Sequence, residues 1–157
     1  MAMTKAEIKA TYPLPVYNYK VNIGGATVAF SEVSGLDISW GVIIHSESKT
    51  TEPGAGPNWM VMPSIQDAVD ITLKKGYVKG KNIPVFYDWI NGIELNQVEK
   101  KDFTVQLCDE TGNAVVTWMV HNAFPIRLAA PSFNANNNEI AIECMELKAG
   151  WVTMEEN

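Results

Sequence analysis

Apolar and polar residues alternate over several short stretches of the chain, the pattern typical of half-buried β-strands. In residues 16–23 the apolar positions are Tyr17, Tyr19, Val21 and Ile23. The next two residues, Gly24 and Gly25, predict a tight hairpin turn because glycine readily adopts positive φ angles. Residues 26–33 are then predicted to return as the partner strand, and the apolar even positions of 36–44 predict a third, longer strand with one apolar face.

Later segments predict further strands. Val69, Ile71 and Leu73 alternate with polar residues, and residues 102–107 and 114–120 flank the turn-forming residues 109–113, which predicts a hairpin. Phe124-Pro125 is expected to break the second strand of that hairpin. In the last strand the apolar phase changes between Cys144 and Met145, which predicts a β-bulge or a change of face.

A single short helix is predicted after residue 81. The side chain of Asn82 can cap it, Pro84 suits its first turn and Gly92 ends it. Phe86, Trp89 and Ile90 share one face, which we interpret as packing against a sheet. The expected fold is therefore mainly β, with two packed antiparallel sheets forming a flattened barrel or sandwich and one short helix on its flank.

The length of 157 residues predicts a single domain, 1–157, whose residues 1–11 form a flexible N-terminal segment. Those first residues lack the apolar core of a secretory signal peptide, so we expect synthesis in the bacterial cytoplasm. Between residues 46 and 58 the strand pattern gives way to a polar loop rich in glycine and proline. A loop of this length in a compact domain is typically functional or disordered, and we interpret it as a partner contact.

The composition indicates a structural rather than a chemical role. The net charge of −6 and the pI near 4.9 argue against nucleic-acid binding, which requires clustered lysines and arginines. Cys108 and Cys144 are too few for a disulfide framework, and their strand positions predict small buried thiols. His45 and His121 lack companions at metal or triad spacing. We therefore predict no catalytic, cofactor-binding or metal-binding residues, and no enzyme.

The order of several motifs resembles the inner-tube proteins of contractile injection systems, a family that includes the tail tubes of contractile phages and of extracellular phage-tail-like particles. The similarity covers roughly residues 12 to 152. The segments that carry the resemblance are 12–17 (YPLPVY), 30–37 (FSEVSGLD), 62–63 (MP), 71–76 (ITLKKG), 87–91 (YDWIN), 109–118 (DETGNAVVTW), 122–125 (NAFP) and 138–143 (NEIAIE).

This resemblance implies protomers that join side by side into hexameric rings, which stack into a rigid hollow tube. The implied partners are further copies of the chain, a contractile sheath protein, a baseplate hub or spike protein, and tape-measure and cap proteins. A protein effector or nucleic-acid cargo would pass through the lumen, and the tube would belong to a phage tail or to a particle released from the cell.

Two sets of residues are assigned on this basis. The set predicted to contact the adjacent ring comprises Glu47, Lys49, Thr51, Glu52, Asn58 and Trp59. The set predicted to face the lumen comprises Asp37, Ser39, Asp70, Thr72 and Lys74. An alternative from another class is a β-barrel that binds a small ligand or carbohydrate in a pocket lined by Trp40, Trp59 and Trp118.

Overall fold

The computed structural model describes residues 2–49, 54 and 56–157. Within them, a seven-residue helix precedes all of the strands, and a π-helical turn at Ile83–Tyr87 continues into a second short helix. The helices are α1 (Lys5–Thr11) and α2 (Asp88–Asn91). The strands are β1 (Tyr19–Ile23), β2 (Ala26–Val28), β3 (Glu32–Ser34), β4 (Trp40–Glu47), β5 (Asn58–Gln66), β6 (Val69–Gly76), β7 (Lys101–Cys108), β8 (Ala114–Ala129), β9 (Ile142–Ala149) and β10 (Trp151–Glu156).

Eight of these strands form one antiparallel sheet in the order β2-β1-β7-β8-β9-β6-β3, with β10 paired to β8. The 16-residue strand β8 belongs to both halves, because residues 114–123 pair with β7 and residues 124–129 pair with β9. The sheet thus folds into two packed layers, and β4 and β5 form a separate two-stranded sheet. The predicted β class with packed antiparallel sheets is confirmed, although the sheet does not close into a barrel and there are two helices in the described residues.

The bend between the two layers lies at Asn122 and Gly150. Asn122 adopts a positive φ of 55°, and its backbone N–H donates to Oδ1 of Asp102 at 2.8 Å. Gly150 interrupts the run from β9 to β10 and donates to the carbonyl of His121 at 2.9 Å. Ala149 before it and Val152 after it are both buried, so the apolar phase changes at Gly150. The predicted change between Cys144 and Met145 is wrong, because β9 alternates without interruption from Ile142 to Ala149.

Pro125 does not end the strand, contrary to the sequence expectation. It lies inside β8 with its side chain fully buried. The register between β8 and β9 shifts between Pro125 and Arg127. A proline, which has no N–H to donate, is tolerated in a strand at such an irregularity.

The core lies between the two layers and beneath the short helix. Phe86 and Trp89 are buried and Ile90 packs against them, which confirms the predicted face of the helix. The indole of Trp89 also donates to the carbonyl of Glu99 at 2.7 Å. The main buried residues from the strands are Val21, Val69, Ile71, Leu73, Phe103, Val105, Val120, Met145, Leu147 and Val152.

Asn82 does not cap the helix as predicted. Its Oδ1 instead accepts a hydrogen bond from the backbone N–H of Val78, four residues earlier, at 3.0 Å. Asn82 has helical φ and ψ angles, so its side chain cannot reach the first free N–H groups as an extended capping residue does. Gly92 follows the last helical residue, as predicted.

Three predicted features near the N-terminus have different outcomes. The Gly24-Gly25 turn joins β1 to β2, but β2 ends at Val28, and the chain then leaves it so that β3 pairs with β6. Residues 5–11 form helix α1, which begins with a reciprocal capping box between Thr4 and Glu7. No buried residue holds this helix, and the flexibility of residues 1–11 stays a prediction.

The two cysteines differ in exposure. Cys108 is buried as predicted, whereas Cys144 is only half-buried, and both thiols are free. The helices in the described residues are also too short to cross a membrane.

Candidate assembly surface

Strands β4 and β5 form a hairpin that hydrogen-bonds to no other strand in the described residues. The base of the hairpin is fixed where the backbone N–H of Asp67 donates to the carbonyl of Ser39 at 2.9 Å. The hydroxyl of Ser39 also donates to Oδ2 of Asp67 at 3.2 Å. At the other end Glu47 pairs with Asn58, so the hairpin extends away from the core for the length of both strands.

One face of the hairpin is apolar and exposed. The register places Val42, Ile44, Trp59 and Val61 on the same face, and each of these side chains is 60–69% exposed. An isolated two-stranded ribbon is marginally stable in water, and an exposed apolar patch on a soluble protein usually marks an interaction site. The hairpin therefore has the character of an element that another chain covers.

The strand predicted over residues 36–44 starts later in the structure. β4 begins only at Trp40, because Gly35 has a φ of 88° and the segment after it is not extended along a neighbouring strand. Val42 and Ile44 alternate as predicted, but no layer of the described chain covers them.

The structure brings together four of the six residues predicted to contact an adjacent ring. Glu47, Asn58 and Trp59 lie at the outer end of the hairpin, and Lys49 lies in the loop just beyond Glu47. Thr51 and Glu52 lie outside the described residues. The predicted loop of 46–58 is shorter in the structure, because β4 extends to Glu47 and β5 begins at Asn58.

The five residues predicted to face a lumen occupy two places. Asp70, Thr72 and Lys74 lie on the outward face of β6, where they alternate with the buried Val69, Ile71 and Leu73. Asp37 and Ser39 are exposed in the segment between β3 and β4. The Ser39 contact with Asp67 places this segment near the start of β6.

Ion pairs cover the outward face of this layer. The ammonium of Lys74 lies 3.0 Å from Glu32, that of Lys148 lies 2.7 Å from Asp70, and the guanidinium of Arg127 lies 3.1 Å from Glu146. The hydrogen bond to Glu32 and its charge raise the pKa of Lys74. Each acid on this list faces a base, so the face is polar with its charges balanced. Such exposed pairs add little to stability.

The alternative ligand pocket is not formed. Trp40 lies at the base of the hairpin, Trp59 lies near its outer end, and Trp118 packs against the core from β8. These three indoles therefore do not converge on one cavity.

The two histidines lie apart from one another. His45 lies 3.7 Å from Glu47, and His121 stacks on Trp151 at a centroid distance of 5.0 Å. The described residues hold no group of three His, Cys, Asp or Glu side chains that could bind a metal.

Sequence reasoning missed a second feature, an apolar groove at the other end of β6. It has a volume of about 440 Å³ and lies between Tyr77, the start of the helical segment and the end of β8. Glu143 lines it and is only 9% exposed. The sequence could have indicated that Glu143 is buried, because it lies on the same face of β9 as the buried Met145 and Leu147.

Comparisons with known proteins agree on one family. The family model described as T4-like virus tail tube protein gp19 matches residues 15–152. A chain in the sheath-tube complex of PVC, an extracellular contractile injection system in its extended state, is 40% identical with a TM-score of 0.87, over 99% of this chain and 100% of that chain. A chain in the tube terminating cap of the anti-feeding prophage (AFP) is 42% identical with a TM-score of 0.84, over 100% of both chains.

A more distant match shows the fold alone. A chain in the 6-fold symmetrised AFP baseplate is 17% identical with a TM-score of 0.70, over 93% of this chain and 97% of that chain. No curated protein matches the sequence.

Proposed function

Because this chain belongs to the T4-like virus tail tube protein family, we propose that it is the repeating subunit of the inner tube of an extracellular contractile injection system. The chains that are 40–42% identical to it come from a sheath-tube complex and a tube terminating cap of such systems. The role is structural: copies of the chain build a conduit, and no reaction is assigned to it.

The main support for this proposal is the β4–β5 hairpin, which pairs with no other strand in the described residues. Its apolar face of Val42, Ile44, Trp59 and Val61 is exposed to solvent in the single chain. A second copy that covers this face removes the apolar side chains from water, at roughly 25 cal/mol for each Å² buried. Obligate subunit contacts typically bury about 2,000–5,000 Å², and we expect the combined contacts of each protomer to fall in that range.

The ring is built from open strand edges. β10 pairs only with β8, so its other edge of six residues is free in the described chain, whereas the edges at β2 and β3 are three residues long. A free edge is a template for pairing with another chain, and head-to-tail contacts that close generate a ring. Six copies in each ring agree with the 6-fold symmetrised baseplate that holds a chain of this fold.

The stack of rings would lie inside a contractile sheath and end at a cap on one side and a baseplate on the other. The related chains come from structures of these three regions. The hub or spike and tape-measure proteins, and the protein or nucleic-acid cargo, complete the proposed set of partners. In the assembled particle the chain would be held by other subunits.

The outward face of β6 is proposed to line the lumen, with Asp70, Thr72 and Lys74 exposed to it and Asp37 and Ser39 near its rim. Support comes from the ion pairs described above, because a polar face with balanced charges binds neither an apolar nor a strongly charged cargo tightly. A conduit requires such weak binding, since its contents must move along it.

Cys144 provides a native reporter for this assignment. It lies across from Lys74 in the strand register and is the more exposed of the two thiols. In assembled tubes a small maleimide should label Cys144, whereas a maleimide on a large polyethylene glycol should label it only in monomers. Equal labelling of tubes by both reagents would place this face on the outside, and C144S controls for labelling elsewhere.

The proposed role is tested by electron microscopy of the purified protein, which should show rings or tubes at moderate concentration. Replacement of residues 46–58 by a short Gly-Ser turn should leave the monomer folded, because the described residues of this segment are not part of the buried core, and should abolish tubes. Normal tubes from the shortened protein would contradict the role given to the hairpin.

A further inference from the structure

The groove at the far end of β6 combines apolar walls with one carboxylate. Its walls include Tyr77, Ile83, Tyr87, Leu128 and Phe133, and Glu143 lines the same space. Phe133 is 86% exposed at the rim, while the other aromatic walls are half-exposed. The groove therefore opens to solvent and offers both apolar contact and a negative charge.

Glu143 forms no salt bridge within 4.0 Å in the described residues. Its side chain also makes none of the side-chain hydrogen bonds found in the described residues. Lys75, its neighbour across the strand register, is itself buried and lines a different cavity with Val78 and Pro84. The carboxylate oxygens of Glu143 are not fully buried, so a cation that enters the groove from outside can reach them.

The hairpin and the groove lie at opposite ends of the same strand. β5 leads into the start of β6 at Val69, and Tyr77 of the groove follows the last residue of β6. The eight residues of β6 separate them by about 25 Å. When copies stack in one direction through head-to-tail contacts, the end of one copy meets the opposite end of the next.

The hairpin brings one strongly basic side chain to its outer end. Lys49 is the only lysine or arginine between residues 21 and 73, and it lies in the loop just beyond Glu47. A lysine has an apolar stem and a charged end, and therefore matches a groove with apolar walls and a carboxylate. The carboxylate and the apolar walls of the groove agree with this occupant.

We propose that the groove receives the outer end of the β4–β5 hairpin of a second copy in the adjacent ring, with the ammonium of Lys49 on the carboxylate of Glu143. This inference rests on the proposed function and adds the receiving site to it. In this arrangement Tyr77, Tyr87 and Phe133 cover the apolar stem of the lysine.

The first test separates a contact between copies from one within the chain. E143Q preserves the shape of the side chain and removes its charge, so the unfolding free energy of the monomer should stay the same or rise. The critical concentration for tube growth should increase at least about tenfold, because loss of a buried charge pair weakens an interface strongly. A fall in monomer stability with unchanged tube growth would overturn the proposal and indicate a partner within the chain.

The second test is a charge exchange. K49E should prevent stacking, and K49E combined with E143K should restore tubes, as measured by tube length in negative-stain micrographs. K5E combined with E94K provides a matched control, since both residues are exposed and far apart in the sequence. Because E143K can fail to fold, circular dichroism of each variant is recorded, and E143Q remains informative in that case.

These experiments distinguish failure of the proposed tube function from failure of the Lys49–Glu143 contact. Wild-type protein that forms neither rings nor tubes overturns the proposed function and this inference with it. Wild-type tubes that are unaffected by K49E and E143Q overturn this inference and leave the tube function in place. Mixtures of K49E with E143K protein, each inactive alone, should form alternating stacks if the contact joins two copies.

Discussion

Gly35 lies against the backbone of Asp70, so that a Cβ atom at Gly35 would overlap the carbonyl oxygen of Asp70. Gly35 also has a φ of 88°, in the left-handed region that favours glycine. This contact sets the corner at which the chain leaves β3 and turns toward the β4–β5 hairpin. The position of the assembly surface therefore depends on a residue without a side chain.

Gly35→Ala should destabilise the folded monomer by about 2–4 kcal/mol, because the positive φ and the overlap with Asp70 both act against it. Urea unfolding followed by tryptophan fluorescence measures the change. Gly24→Ala is the control: its φ is also positive, at 61°, but no atom lies near its Cβ position. That variant should lose only about 1–2 kcal/mol, and equal losses at both positions would show that the overlap does not matter.

Val61→Glu should separate assembly from folding. Val61 is 67% exposed in the single chain, so the unfolding free energy should change by no more than about 0.5 kcal/mol. Tubes should be lost, because a carboxylate would enter the covered apolar face without a partner. Val61→Ile keeps the apolar surface and should assemble, as sedimentation would show; tubes from Val61→Glu would exclude this face from the interface.

Leu147→Ala and Ile142→Ala should differ sharply in how much stability they lose, although both residues lie in β9. Leu147 is fully buried and should lose about 2–5 kcal/mol of stability, through lost burial and the cavity left behind. Ile142 is 41% exposed on the opposite face and should lose much less in the monomer. Thermal unfolding of the two variants checks the phase of β9, and the reverse order of stability would contradict it.

An ion pair between Lys9 and Glu110 should hold helix α1 against the β7–β8 turn. The pair should break at acid pH, when Glu110 is protonated, and at strongly basic pH, when Lys9 loses its proton. The ammonium of Lys9 lies 3.0 Å from Glu110, and this contact raises the pKa of Lys9. A hydrogen bond from its own backbone N–H, and then Lys9, lower the pKa of Glu110. The contact is thus fully present above the ordinary Glu110 pKa of 4.5 and is lost as the pH falls through the lowered value.

The same contact is present below the ordinary Lys9 pKa of 10.5 and is lost as the pH rises through the raised value. Chemical shifts of Ile8 and Ala10 report the helix, and they should move toward disordered values near pH 3. Glu110→Gln should reproduce part of that movement at neutral pH. Shifts that are independent of both pH and this substitution would show that the pair does not hold α1.

Local alternation determined much of the fold. Residues 69–74 were predicted as a strand with Val69, Ile71 and Leu73 on its apolar face, and residues 102–107 and 114–120 as the two strands of a hairpin, because their side chains alternate and their neighbours are turn-forming residues. The face of the short helix was predicted from Phe86, Trp89 and Ile90 for the same reason. The tube family was also identified from the order of the motifs, and the family match to residues 15–152 confirms it.

Tertiary structure decided which apolar faces are covered, because an alternating strand has the same pattern whether a second layer or a second chain lies against it. Val42 and Ile44 occupy alternate positions of a strand just as Ile71 and Leu73 do, yet only Ile71 and Leu73 are buried within the chain. The bend at Gly150 and the burial of Glu143 beside the groove depend in the same way on the pairing of distant strands. The sequence by itself determined the strands and the family, whereas the surfaces left open for other copies emerged only from the packing of one layer on another.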